Sequence, residues 1–143
     1  MSSQTEEPAA GNWRSGFEER SATTFSAGFA DDVVLEASTL VQPIVGRERV
    51  ARTLEAASGI YESLEFTASE QDGLTTYLQW RATAFGGVEI KGVTVLEHDF
   101  DGKVVAAAIH HRPLDVALRF SAEIRDRLTG VVPRDHFFSG TVG

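Results

Sequence analysis

Apolar residues recur at multiples of four through Trp13, Phe17, Phe25 and Phe29, and Asn12 stands ready as an N-cap. This spacing predicts one amphipathic helix or two short ones, weakened in the middle by Ser21 to Thr24. The period then changes. In FADDVVLEAS the pair Val33 and Val34, followed by Leu35, predicts a strand, and Pro43 and Gly46 bound a second short extended piece. Val50, Leu54, Ala57 and Tyr61 repeat at three and four and predict a helix from Arg47 to about Tyr61. Three turn signals follow, Asp72-Gly73, Gly86-Gly87 and Asp101-Gly102. They predict an antiparallel meander with strands near 63–71, 74–85, 88–98 and 103–112. Leu114, Ala117, Leu118, Ser121, Ile124 and Leu128 then mark a last amphipathic helix. Helices followed by a run of strands define an α+β chain. Residues 1–11 read as a flexible tail, 12–130 as one domain and 131–143 as a C-terminal tail.

Two-residue hairpins fix which side chains share a face. Pairing 71 with 74, 85 with 88 and 100 with 103 aligns Leu64, Arg81, Gly92 and His111 in one row. Phe66, Gln79, Thr94 and Ile109 form the next, and Ala68, Tyr77, Leu96 and Ala107 a third. Leu64, Phe66 and Ala68 are apolar against a polar reverse face, so these three rows are expected to face the helices. Leu78, Trp80, Val93 and Val95 are expected on the other side with His110, too apolar a cluster for open solvent, which suggests self-association through the sheet.

The chain of 143 residues suffices for a core without cross-links, and it contains no cysteine. Absence of cysteine excludes disulfides and thiolate zinc sites and fits a reducing, cytoplasmic setting. No apolar run is long enough for a membrane span, and the start MSSQTEEPAAG has no apolar signal region. With 13 Lys plus Arg against 21 Asp plus Glu, the net charge is -8 and the long-range field repels nucleic-acid phosphates. Neither membrane nor nucleic acid is therefore an expected partner.

The adjacent pair His110 and His111 projects to opposite faces of a strand and cannot clamp one ion. No inward Asp, Glu or Cys accompanies His111 in the three rows, so neither a metal nor any other cofactor is expected. Asp31-Asp32 reads as a turn and capping element, Asp99 to Gly102 as a hairpin turn, and Arg47, Glu48, Arg49 and Arg52 as a solvated helix face.

The order of FADDVVLEAS, GRERV at a helix start, EIKGVTVLEHDFDGKV across a hairpin and IHHRPLDV resembles the SnoaL-like, ketosteroid-isomerase-like branch of the nuclear-transport-factor-2-like superfamily. The resemblance spans about 13–128. It implies a cone-shaped, barrel-like α+β fold, in which a curved, mostly antiparallel sheet wraps around N-terminal helices and encloses a central apolar pocket. It also implies a homodimer through the convex sheet face. For ketosteroid isomerases it implies an Asp base on the first strand, a Tyr on the first helix and a protonated Asp on the meander. Ala37, Trp13 and Thr94 occupy those positions here, and none of the three supplies the expected group. The Asp-Arg-Asp set of an epoxide hydrolase is also absent from the inward rows, which hold only Arg81.

The expected pocket joins Arg81, Gln79, Thr94 and His111 to a wall of Trp13, Phe17, Leu35, Ala37, Leu54, Phe66, Leu96 and Ile109. Gly92 would leave room for a ligand's polar end between a guanidinium and an imidazole. The expected ligand is therefore a small, largely apolar molecule with a polar or acidic end. Two readings stand for the polar groups. Arg81 anchors that end or pairs internally with Asp32 or Glu36, and His111 is a ligand-facing group or a satisfied core histidine. A binding module, an isomerase, lyase or cyclase using His111 as acid or base, and a non-catalytic dimeric scaffold all remain consistent with the sequence.

Overall fold

The computed structural model describes residues 8–140, and the expected N-terminal tail therefore lies largely outside the described residues. Helix α1 (Pro8–Glu19) starts four residues before Asn12. Helix α2 (Ala22–Ala27) follows, its first turn capped by Ser21, whose hydroxyl accepts from the Thr24 amide at 3.2 Å. The weak stretch at 21–24 is thus a helix break with a cap. Strand β1 (Phe29–Ala37), the two-residue strand β2 (Ile44–Val45) and helix α3 (Arg47–Ile60) come next. The meander comprises β3 (Ser63–Asp72), β4 (Thr75–Ala84), β5 (Val88–His98) and β6 (Val104–Arg112), and α4 (Leu114–Arg127) ends the regular structure.

The six strands form one curved, unclosed sheet in the order β2-β1-β6-β5-β4-β3. All neighbours are antiparallel except β1 and β6, which run parallel with Leu35 opposite Ala107 and Ala37 opposite Ile109. Helices lie against the concave face and bury Trp13, Phe25, Leu54 and Phe120 against Val33, Leu35, Leu78, Trp80 and Leu96. This is the cone-shaped α+β architecture that the sequence predicts. Among the described residues, no helix is long and apolar enough to cross a membrane.

β5 and β6 show their expected faces, β3 does so as far as Phe66, and β4 does not. Ala84 pairs with Val88 across a three-residue loop, Phe85-Gly86-Gly87, rather than a two-residue one. All three loop residues have positive φ, at 55°, 80° and 95°. On the other side of β4, a bulge at Thr67 shifts the register, because Phe66 pairs with Trp80 while Ala68 pairs with Gln79. Each irregularity reverses β4 once relative to a neighbour, so the two agree. Leu78, Trp80 and Ala82 point into the cone, and Tyr77, Gln79 and Arg81 point out. The bulge also turns Ala68 outward. The pairing of β5 with β6 matches expectation, with Gly92 opposite His111, Thr94 opposite Ile109 and Leu96 opposite Ala107.

The boundary expected at residue 130 also moves. Val132 and Phe137 are each only 2% exposed and belong to the core. The Val41 amide donates to the His136 carbonyl at 2.7 Å, and the Arg125 guanidinium donates to the Phe138 carbonyl at 2.6 Å. Ser121 links both sides, donating to the Thr39 carbonyl at 2.6 Å and accepting from the Phe138 amide at 3.0 Å. Residues 131–138 therefore latch the loop after β1 onto α4, and Phe137 packs within its own chain. Phe120, absent from the expected helix face, is 1% exposed and replaces Leu114, which is 74% exposed.

Candidate functional site

The mouth of the cone lies between α1, the end of α3 and the start of β3. There a surface cleft of about 410 Å3 has a floor of Phe17, Tyr61, Leu64 and Phe66 and a polar rim that includes Arg14, Glu18, Arg20 and Glu62. Behind the floor lie two small voids. One, of about 10 Å3, is lined by Trp13, Phe17, Tyr61, Leu64, Phe66, Trp80, Thr94 and Ile109. The other, of about 20 Å3, is lined by Leu35, Ala37, Leu54, Tyr61, His111 and Phe120 among others. Each is about the size needed to hold one water molecule. Phe17 and Tyr61, with ring centroids 6.1 Å apart, border the cleft and both voids and so form a partition between outside and inside.

The structure brings Trp13, Phe17, Leu35, Ala37, Leu54, Phe66, Thr94, Ile109 and His111 to this system. Leu96 is fully buried in the core and lines neither void. Gln79 and Arg81 are corrected outright, because the reversal of β4 places both on the convex face. There the Arg81 Nε donates to the Glu65 carboxylate at 3.0 Å, and the two side chains are 59% and 62% exposed. Neither Asp32 nor Glu36 partners it. Asp31 and Asp32 lie within β1, and Asp31 pairs with Arg47 at 2.6 Å.

Trp80 fills the space that Gly92 was expected to leave open. A Cβ added at Gly92 would overlap the His110 carbonyl and the Trp80 ring. This glycine is therefore kept by close packing of an indole against the sheet. Gly92→Ala is expected to destabilise the fold by about 1–3 kcal/mol, since one of the two obstacles is backbone and cannot rotate away. Urea denaturation will measure it, and an unchanged midpoint would contradict the packing.

Two polar side chains border the voids from the sheet side, Thr94 and His111. The Trp80 indole donates to the Thr94 hydroxyl at 3.0 Å, which commits Thr94 to holding Trp80 in its inward pose. The His111 ring stands edge-on to Trp80 at 5.5 Å and tilted against Phe120 at 6.0 Å. The backbone amide of His111 donates to the Ser38 hydroxyl at 2.9 Å, which ties β6 to the end of β1. Its Nδ1 is buried without a hydrogen-bond partner. Burial pushes the imidazole pKa down to about 4, the Ile109 carbonyl opposes this, and the nearby His110 adds to it. At neutral pH the ring is uncharged. The Tyr61 phenol, buried beside it, is pushed well above its usual value by desolvation. Tyr61, Trp80 and Phe120 were absent from the expected pocket. Tyr61 was legible as the last apolar position of the α3 repeat, and Phe120 as the residue four before Ile124.

A curved, unclosed six-stranded sheet packed against N-terminal helices is the architecture of the cystatin-like or nuclear-transport-factor-2-like cone folds. Residues 11–107 match the model of the SnoaL-like domain, and the chain belongs to that family. Among solved structures it is similar to an uncharacterised bacterial protein with a cystatin-like fold from Silicibacter pomeroyi. That pair has a TM-score of 0.81 and 16% identity over 87% of each chain. A steroid delta-isomerase from Pseudomonas aeruginosa gives a TM-score of 0.75 and 22% identity, covering 85% of this chain and 92% of its own. A protein of unknown function, similar to nuclear transport factor 2, from Burkholderia xenovorans gives 0.62 and 16%, covering 72% and 79%. These likenesses establish the fold. No curated protein matches the chain.

Proposed function

We propose that this chain binds a small, largely apolar molecule with a polar end, seated in the cleft on Phe17, Tyr61, Leu64 and Phe66. One observation carries the reading. The cleft, at about 410 Å3, falls within the range of small-molecule sites, whereas the voids behind it hold no more than about a water each. Its aromatic floor supplies apolar contact area, and movement of Phe17 or Tyr61 would extend the cleft toward Thr94 and His111.

The test is thermal shift with a panel of steroid-like, polyketide-like and aromatic compounds. A ligand at 100 times its Kd should add about 2.7 kcal/mol of stability, a rise of several degrees. Ser63→Trp, placed at the exposed rim of the cleft, should abolish that shift. A shift that survives the substitution would place the ligand elsewhere.

A second reading is turnover, supported by the buried, unpartnered Nδ1 of His111 and by the steroid isomerase among the structural relatives. The isomerase positions carry Ala37, Trp13 and Thr94, so His111 would have to donate to or accept from the substrate itself. Product detected by mass spectrometry and lost in His111→Gln would favour it. The convex face, where half-buried Val93, Val95 and Ala108 lie beside exposed Tyr77, supports pairing of two copies, though Leu78 and Trp80 do not contribute to it.

A further inference from the structure

The cleft's charges bear on which end of the ligand enters. We propose that its ligand is an amphipathic acid bound head outward, with the anionic group at Arg14 and Arg20 and the apolar body on the aromatic floor. The inference rests on the cleft reading above and deepens it. Arg14 and Arg20 both line the cleft, and among the described residues neither has a carboxylate within ion-pair distance. Each is nonetheless held in place. The Arg14 guanidinium lies over the Phe66 ring at 5.1 Å, and the Arg20 Nη2 donates to the Tyr61 carbonyl at 3.3 Å.

The two acids of the rim do not offset them equally. Both carboxylate oxygens of Glu62 accept backbone amides of the β4-β5 loop, from Gly86 at 2.7 Å and Gly87 at 2.9 Å. Glu62 keeps its charge, but its oxygens are committed to that loop, whereas among the described residues of the cleft Glu18 has no such partner and is solvent-exposed. The interior excludes the opposite orientation. Among the described residues no Lys or Arg lines either void, and the imidazole that does, His111, is neutral at pH 7. A carboxylate pushed inward would be a buried, uncompensated charge, among the most unfavourable arrangements a protein can hold. With Arg81 outside, the guanidiniums at the mouth are the available partners.

The experiment compares matched pairs by isothermal titration at low ionic strength: 1-naphthylacetate against 1-naphthylacetamide, and decanoate against decanamide. The acid should bind about tenfold tighter than its amide. Arg14→Gln and Arg20→Gln should each lower the acid's affinity more than the amide's and so remove much of that preference. Glu18→Gln should strengthen the acid alone. His111→Gln should leave the acid-to-amide ratio intact. Equal affinities for acid and amide, or a ratio lost only in His111→Gln, would overturn the orientation while the cleft reading stands. Failure of both members of both pairs to bind would remove the two together.

Discussion

Replacing Trp13 with Ala is expected to destabilise the protein by about 4 kcal/mol. Trp13 is 1% exposed and touches three aromatic rings, with centroids 5.6 Å away at Phe17, 5.9 Å at Phe25 and 6.3 Å at Phe29. These residues join α1, α2 and β1, so the indole is the point where the helical layer meets the first strand. Deleting it removes a large apolar surface and leaves a cavity that the surrounding rings cannot fill without leaving their own partners. Domains of this size are stable by roughly 5–15 kcal/mol, so the variant should retain its fold with a Tm lowered by on the order of 10 °C. Because Trp13 also lines the smaller void, the lost indole should be replaceable by a free one. Indole added to Trp13→Ala should raise its Tm and leave that of the parent protein unchanged. A loss below about 1 kcal/mol would mean that the aromatic cluster repacks, contrary to the arrangement described.

The second large effect is that of pH. His111 has its folded-state pKa pushed down to about 4, against 6.5 in an unfolded chain. Between these values the unfolded state binds a proton that the folded state refuses, so acid favours unfolding. The contribution is fully present above pH 6.5, is lost as pH falls toward 4, and changes no further below. The gap corresponds to roughly 3 kcal/mol, reduced to about 2–3 because the residue as a whole is partly exposed to solvent. Carboxylates titrate near the lower end of the same window, so the decisive quantity is the difference between the parent protein and His111→Gln. Urea titrations at pH 7, 6, 5 and 4 should show the variant losing less stability on acidification. Parallel curves would show that solvent reaches the imidazole and that its burial does not govern its charge.

The strands and helices were legible because turn signals and apolar periods are local. The three Gly-containing turns and the repeat of Val50, Leu54, Ala57 and Tyr61 depend on neighbours a few residues away. Which way each strand faces is a sum over all preceding turns, so a single extra residue in a loop reverses everything that depends on it. At Gly86-Gly87 the loop takes in Phe85 with φ of 55°, a conformation a bulky residue rarely adopts, and the sequence carries no local sign of it. At Thr67 a bulge adds a second reversal. The two compensate for β5 and β6, which is why Thr94, Ile109 and His111 were placed correctly. They do not compensate for β4, and the guanidinium expected in the pocket emerged on the opposite side. The cationic groups of the cleft, Arg14 and Arg20, belong to the first helix and the residue following it, where the apolar period draws attention to Trp13 and Phe17 rather than to the polar positions between them.

The parallel pairing of β1 with β6 has a consequence for biosynthesis. As the chain leaves the ribosome, Phe29 to Ala37 has only the two residues of β2 as a sheet neighbour until the segment from Val104 to Ile109 has been made. Both ends of the meander can zip by local hairpins well before then. Until then the first strand has helices to pack against but lacks its long sheet neighbour, and the closing of that seam is a late, long-range event.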